Sequence, residues 1–245
     1  MSGTSLYLSG VGARARLTQL EMLANNLANA DTTGFKADSA LFQSVLETAL
    51  EDEHGRKVGG GLAFVATGPG HTNQEQGPIL STGRALDVAI EGPGFFQINT
   101  KDGVRYTRAG SFSVNAEGQL TGPGGHPVVG AGGPIRVPSG GATIDAKGRV
   151  LAADGRELGR LSIEEFFEPE KLVREGESLF RAPIDQVGMP VDDPHLVPGS
   201  IEQSNVQPAH EITQLVILQR AFEASLQALE ADDAASRRLI EEVSS

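Results

Sequence analysis

Apolar residues return along the start of the chain with a helical beat. Leu6, Gly10, Ala13, Leu17, Leu20, Ala24 and Leu27 are spaced 4, 3, 4, 3, 4 and 3. That alternation is the a/d seam of a heptad repeat and predicts a helix over residues 4–30. Its early rungs are small, so they permit close approach but bury little area. Asp31-Thr-Thr-Gly34 stops the run, with Gly34 suited to the left-handed position just past a helix end.

The far end shows the same beat. Pro208 stands where a helix can begin. From there Ile212, Leu215, Gln219, Phe222, Leu226, Leu229, Asp233, Ser236, Ile240 and Val243 alternate by 3 and 4. No Gly or Pro interrupts the stretch, which predicts a helix roughly 50 Å long at 1.5 Å per residue. Gln219, Asp233 and Ser236 are polar rungs in an apolar seam. Polar seam positions set register at a cost in stability, and suggest a helix with more than one neighbour.

Between these ends the period falls to two. LDVAIEG, FFQIN, RYTRAGSFSVN, QLTG and HPVVG are short apolar or alternating runs between turn signals. Val114-Asn-Ala-Glu-Gly-Gln-Leu120 and Ile144-Asp-Ala-Lys-Gly-Arg-Val150 repeat one pattern, and each reads as a hairpin tip with Gly at φ > 0. The implied class is α+β. Residues 1–37 and 201–245 form a discontinuous domain of coiled-coil helices, since neither seam has a partner within its own segment and isolated helices are marginal in water. Residues 38–76 read as an extended hairpin or linker, and residues 77–200 as a central, mainly antiparallel β domain.

Composition narrows the function. The chain has 245 residues, 31 Gly and 13 Pro, which suits many turns and short strands. The formal net charge of −12 argues against nucleic-acid binding, which needs a basic footprint, and against docking on anionic lipid. The absence of cysteine excludes disulfides, thiolate metal sites and a cysteine nucleophile. No apolar run is long enough for a membrane span, and the N-terminus lacks the pattern of a cleaved export signal.

The chemistry-bearing residues form no recognisable active site. His54, His71, His126, His195 and His210 are scattered without metal-ligand spacing. The Asp/Asn-Gly clusters lack the spacing of a calcium loop, and the glycine-rich pieces lack the Lys-Ser/Thr of a phosphate loop. The adjacent pairs Glu164-Glu165 and Asp192-Asp193 would point to opposite faces of a strand. No catalytic residue, cofactor or metal is expected. Two alternatives predict other features: a secreted β-domain enzyme or adhesin needs a deep polar pocket within residues 77–198, and a coiled-coil adaptor needs a self-sufficient helical pair.

Four motifs then carry a resemblance. ANNLANADTTGFK at 24–36 is an asparagine-rich helix end followed by Thr-x-Gly-Phe-Lys. STGRALDVAIEGPGFFQI at 81–98 leads into the β run, YTRAGSFSVNAEGQL at 106–120 follows it, and IEQSNVQPAHEI at 201–212 precedes QRAFEASLQAL. In this order, from end to end, they resemble the bacterial flagellar axial family of rod and hook proteins. The short path to the SNV motif is most like the proximal rod members, with distal rod members next.

The resemblance implies a structural subunit of the basal-body rod, a drive shaft crossing the periplasm, exported by the flagellar type III apparatus without a cleaved signal. Its partners would be copies of itself and other rod proteins, not nucleic acid, a membrane or a small-molecule substrate. The expected assembly residues are Leu17, Leu20, Asn25, Asn26, Leu27, Asn29, Gly34, Phe35, Ser204, Asn205, Val206, Leu215, Phe222, Leu226 and Leu229, with Leu86, Asp87, Gly92, Phe95 and Phe96 leading into the β domain. The amides of Asn25, Asn26 and Asn29 are expected to hold a neighbouring subunit's backbone.

Overall fold

The computed structural model describes residues 2–39, 42–47, 62–67, 71–176 and 178–243. Helix α1 spans Ser2–Ala28. Strands β1 (Phe42–Glu47) and β2 (Leu62–Thr67) form an antiparallel hairpin in register from Phe42↔Thr67 to Glu47↔Leu62. The charged patch at 51–57, including His54, lies outside the described residues. Helix α2 spans Pro208–Val243, with Pro208 at its first position as the sequence implies. No described helix is long and apolar enough to cross a membrane.

The chain separates into two compact units. One holds Met1–Leu27, Asp38–His71 and Pro208–Ser245; the other holds Ala28–Ala37 and Thr72–Gln207. These limits differ from the sequence-based ones. The tight turn after α1 and the segment before α2 go with the β unit, because their backbone and side-chain bonds are made there. The hairpin at 42–67 goes with the helices.

In the helical unit the two helices touch, and the seam positions are unequally covered. Gln19, Met22 and Leu23 of α1 line a shallow groove with Gln214, Ile217 and Leu218 of α2. The Arg16 guanidinium donates to the Ser225 hydroxyl. Leu17 and Leu226, both seam positions, are 47% and 41% exposed. Ile212, Val216 and Ile217 are also exposed, while Leu20, Leu27, Leu215 and Phe222 are half-buried. The side chain of Leu229 lies outside the described part. A heptad with small and polar rungs does not fix one face as the buried one.

The β unit is built from short antiparallel strands. Among them are β3 (Ile79–Ser81), β4 (Val88–Ile90), β5 (Phe95–Thr100), β6 (Gly103–Thr107), β7 (Ala142–Ile144), β8 (Arg149–Ala152), β9 (Glu157–Arg160), β10 (Ile163–Glu165), β11 (Val173–Glu175), β12 (Leu179–Arg181), β13 (Met189–Pro190), β14 (Leu196–Pro198) and β15 (Ser200–Glu202). The largest sheet has the order β11-β12-β6-β5-β10-β13, antiparallel throughout. β7-β8-β9 form a three-stranded sheet, and β14 and β15 return to pair with β4 and β3.

Period-two alternation on β5 feeds two cores. Phe96 and Ile98 enter the main one, with Phe112, Leu120, Val128 and Val150. Phe96 meets Phe112 edge-on at 5.1 Å. Phe95 points the other way into a second cluster with Phe166, Leu172 and Phe180. Ring centroids there are 6.0 Å (Phe95–Phe166) and 5.8 Å (Phe95–Phe180) apart, again edge-on.

The two repeated segments take the same turn. Asn115 Oδ1 accepts from the backbone N–H groups of Glu117 (3.1 Å) and Gln119 (2.8 Å). Asp145 Oδ1 accepts from those of Lys147 and Arg149, each at 2.9 Å. Gly118 and Gly148 follow at φ +75° and +74°. One side-chain acceptor and one left-handed glycine therefore build both tips.

Candidate functional site

The first and last motifs of the chain meet inside the β unit. After α1, the Thr32 backbone N–H donates to the Asn29 carbonyl (3.1 Å) and that of Phe35 to the Thr32 carbonyl (3.2 Å). Gly34 sits in this turn at φ +68°. A Cβ there would lie 2.3 Å from the backbone nitrogen of Ala109, so both conformation and space demand glycine. The Gly34 N–H donates to the Glu202 carbonyl at 2.8 Å, the first bond between the two motifs.

Phe35 and Lys36 are fully enclosed, at 1% and 0% exposure. Arg174 lies 4.2 Å over the Phe35 ring and donates to the Lys36 carbonyl. Lys36 Nζ donates to Glu202 Oε1 at 2.6 Å and to the Glu75 carbonyl at 2.6 Å. Glu202 Oε1 also accepts the Gly77 N–H at 3.0 Å, and Oε2 lies 3.5 Å from Arg108 Nη1. Arg108 in turn donates to the Gly92 carbonyl at 2.8 Å and lies 5.0 Å over Phe95. Burial pushes the Lys36 and Arg108 pKa values down, and the Glu202 carboxylate opposes that shift in both.

Asn205 completes the knot. Its Oδ1 accepts the Ala37 N–H at 2.7 Å, and its Nδ2 donates to the carbonyls of Asn73 (2.9 Å) and Glu75 (3.0 Å). One amide thus joins three strands of chain, using its donor and acceptor sides at once. Ser204 Oγ accepts the Val206 N–H at 3.2 Å, and both residues are buried.

The three asparagines before the turn have distinct settings. Asn26 is 2% exposed, and its amide is used within its own chain: Nδ2 donates to the Asp38 carbonyl and Oδ1 accepts the Asp38 N–H, both at 2.9 Å. One donor and one acceptor position of this amide are thus taken up within the chain itself. Asn29 Oδ1 accepts from the Thr32 hydroxyl at 3.2 Å. Asn25 is exposed.

The residues leading into the β domain are placed as supports of the fold. Asp87 is 1% exposed, and its Oδ2 accepts from the Thr82 hydroxyl at 2.6 Å. Leu86 packs on the main core, and Gly92, at φ +102°, carries the carbonyl that Arg108 reaches. Sequence reasoning missed Lys36, Glu202, Arg108 and Arg174 as a set. The available signal was a lysine in the first motif and a glutamate in the last. Among the described residues no cluster of His, Asp or Glu could hold a metal ion.

Family models match three parts of the chain. Residues 6–36 match the flagella basal body rod protein model, residues 89–156 the flagellar hook protein FlgE/F/G D1 domain, and residues 197–242 the flagellar basal body rod FlgEFG protein C-terminal model. The flagellar basal-body rod protein FlgF of Caulobacter vibrioides is 33% identical, over 94% of this chain and 95% of that protein. The flagellar basal-body rod protein FlgG of Agrobacterium fabrum is 36% identical, over 95% and 97%. That of Bacillus subtilis is 31% identical, over 96% and 97%.

The chain belongs to the flagellar basal-body rod protein family. This is a family of structural proteins, not of enzymes. In this family member the first and third matched segments are the ones that the Gly34–Glu202 and Lys36–Glu202 bonds tie together. The middle match begins inside β4 and carries Phe95, Phe96 and Arg108.

Proposed function

We propose that the chain is a subunit of the flagellar rod that assembles with copies of itself and with other rod proteins into a shaft transmitting torque. The carrying observation is that the helices leave apolar side chains uncovered: Leu17, Ile212, Val216, Ile217 and Leu226. An isolated helix is marginal, and neighbours in an assembly would supply the missing burial. Head-to-tail contacts of this kind build an open helical array. Coiled-coil pairing of the terminal helices, through Leu17, Leu20, Leu27, Leu215, Phe222, Leu226 and Leu229, belongs to that assembled state. Asn25, Asn29 and Phe35 are proposed to support it at the helix end, with Gly34 and the Ser204-Asn205-Val206 segment holding the route into α2.

The chain would reach the rod, across the periplasm, through the type III export apparatus without a cleaved signal. Nucleic acid, membrane insertion and a small-molecule substrate play no part in this reading. The proximal level of the rod is favoured by length. The alignment with the Caulobacter FlgF runs over 236 positions, whereas that with the Agrobacterium FlgG runs over 263, more than the 245 residues present here. This chain therefore lacks segments that the FlgG relative has.

The test is replacement of Leu215, Phe222 and Leu226 together by Asp in a motile host. Rods should be absent from isolated basal bodies while the β unit of the purified variant melts as before. Normal rods would overturn the reading. A cryo-EM map of an intact basal body fixes the level, and density for this chain at the distal end would displace the proximal assignment.

A further inference from the structure

Two early strands of the β unit find their partners only at its far end. Among the described residues β3 ladders with β15 alone, and β4 with β14 alone. β4 is nevertheless central: Val88 and Ile90 lie in the main core, at 0% and 1% exposure. Leu196, on β14, joins the same core. The backbone between these late strands bonds early positions as well. The Gly199 carbonyl accepts the N–H groups of Thr82 (2.8 Å) and Gly83 (3.0 Å), and the Gly199 N–H donates to the Asp87 carbonyl at 2.8 Å. Glu202 supplies the carboxylate of buried Lys36, and Asn205 bonds the backbone of Ala37, Asn73 and Glu75. Residues 196–206 thus run as a strap across strands and turns made much earlier in the chain.

We propose that the β unit cannot close until this strap is in place, which delays its folding until the chain is almost complete. Without the strap, β3 and β4 have no ladder, and Lys36 and Arg108 are desolvated without their carboxylate. The N–H groups of Gly34, Ala37 and Gly77 also lose their acceptors. Net stability is a small difference between large terms, so losses on this scale exceed what the remaining core can offset. The strap is late by position too. Synthesis runs from the N-terminus and only residues 207–245 follow it, so β3 and β4 exist long before their partners. Pairings that close such long loops form late, because closure entropy is lost before the contact is made. A chain whose β unit is still open can pass an export channel, and the strap closes the unit once the whole chain is free. That use of the strap rests on the export reading above; the strap itself rests on the bonds within the β unit.

Two measurements on the full-length protein test this. Native-state hydrogen exchange in graded denaturant follows the strap amides of Gly199 and Gln203, which bond the Asp87 and Pro78 carbonyls. It compares them with the core amides of Asn99 and Val128, which bond the Pro127 and Leu120 carbonyls. All four should be protected equally, within about tenfold, and lose protection in one step. Strap amides that exchange more than about tenfold faster while the core stays protected would overturn the proposal. The second measurement inserts a protease site between Asp192 and Asp193, both exposed, and cuts the folded protein there. Every residue is still present, but the strap is now on a separate piece. The melting point of the β unit should therefore rise with protein concentration. A melting point that does not move with concentration would mean that the core stands without its strap, and would sink the idea. If both results hold but the chain stays inside cells that build normal rods, the export reading fails and the strap remains.

Discussion

The β unit and the helix α2 stabilise themselves in opposite ways. The β unit has a closed core, with Phe96, Phe112, Leu120, Val128 and Val150 all at 0% exposure, and it buries an ion triad, while Phe167, Ile184 and Val187 stand outside that core, exposed. α2 spans 36 residues and leaves Ile212, Val216, Ile217 and Leu226 between 41% and 56% exposed. One part has an enclosed core of its own; the described part of α2 leaves a row of apolar side chains exposed. In the rod assembly proposed above, the β unit would present fixed surfaces, while the helices would join the shaft as copies cover their exposed apolar side chains.

Breaking the self-sufficient side should have the largest effect. Glu202→Ala leaves Lys36 and Arg108 buried without a carboxylate, and the β unit should lose about 3–5 kcal/mol in a denaturant titration. A loss under about 1 kcal/mol would mean that water enters the cluster and solvates the cations. Gly34→Ala comes next. It combines a left-handed backbone with a Cβ 2.3 Å from Ala109 N, for a loss of about 2–4 kcal/mol. Asn205→Ala orphans the Ala37 N–H and two carbonyls and should cost about 1–3 kcal/mol by the same measurement.

These three residues also mark where the sequence was legible. The helices, the turn at Gly34 and the paired tips at Asn115 and Asp145 follow from local patterns, because period, caps and φ > 0 glycines act within a few residues. Gly34, Phe35 and Asn205 stood out by their motifs, but what they hold did not. Lys36 and Glu202 are 166 positions apart, and charged residues are ordinarily solvated, so nothing local announced a buried pair. The helix contact is less legible for a related reason. The heptad ranks positions by polarity, yet Gln19 and Gln214 line the groove while Leu17 is exposed. Where rungs are small or polar, tertiary packing rather than period selects the face.

Alkaline pH probes the β unit without altering its core. Burial, with hydrogen bonding and repulsion from Glu164 adding to it, pushes the Tyr106 phenol up to about 12. The folded form therefore keeps its proton where the unfolded form, near the ordinary phenol value of 10.0, loses it. Between these values the folded state binds more protons, so stability falls as pH rises from 10 towards 12. Tyr106→Phe should remove that share of the alkaline loss, and absorbance at 295 nm should show one tyrosine titrating late. Matching stability-versus-pH slopes for the two proteins would refute the assignment.

The smallest effect on folding should accompany the largest on assembly. Leu226 is 41% exposed on α2, so Leu226→Asp removes little buried area and should change the melting of the β unit by less than about 0.5 kcal/mol. In the shaft, the same substitution would place a charge among apolar neighbours, and rod formation should drop steeply. Glu202→Ala is the converse: it weakens the β unit but leaves the apolar face of α2 untouched, so chains that remain folded should still join rods. If both variants instead lower melting and assembly in parallel, the helix is part of the monomer's own folding unit, and the division between a β unit with its own core and a helix apart from it is wrong.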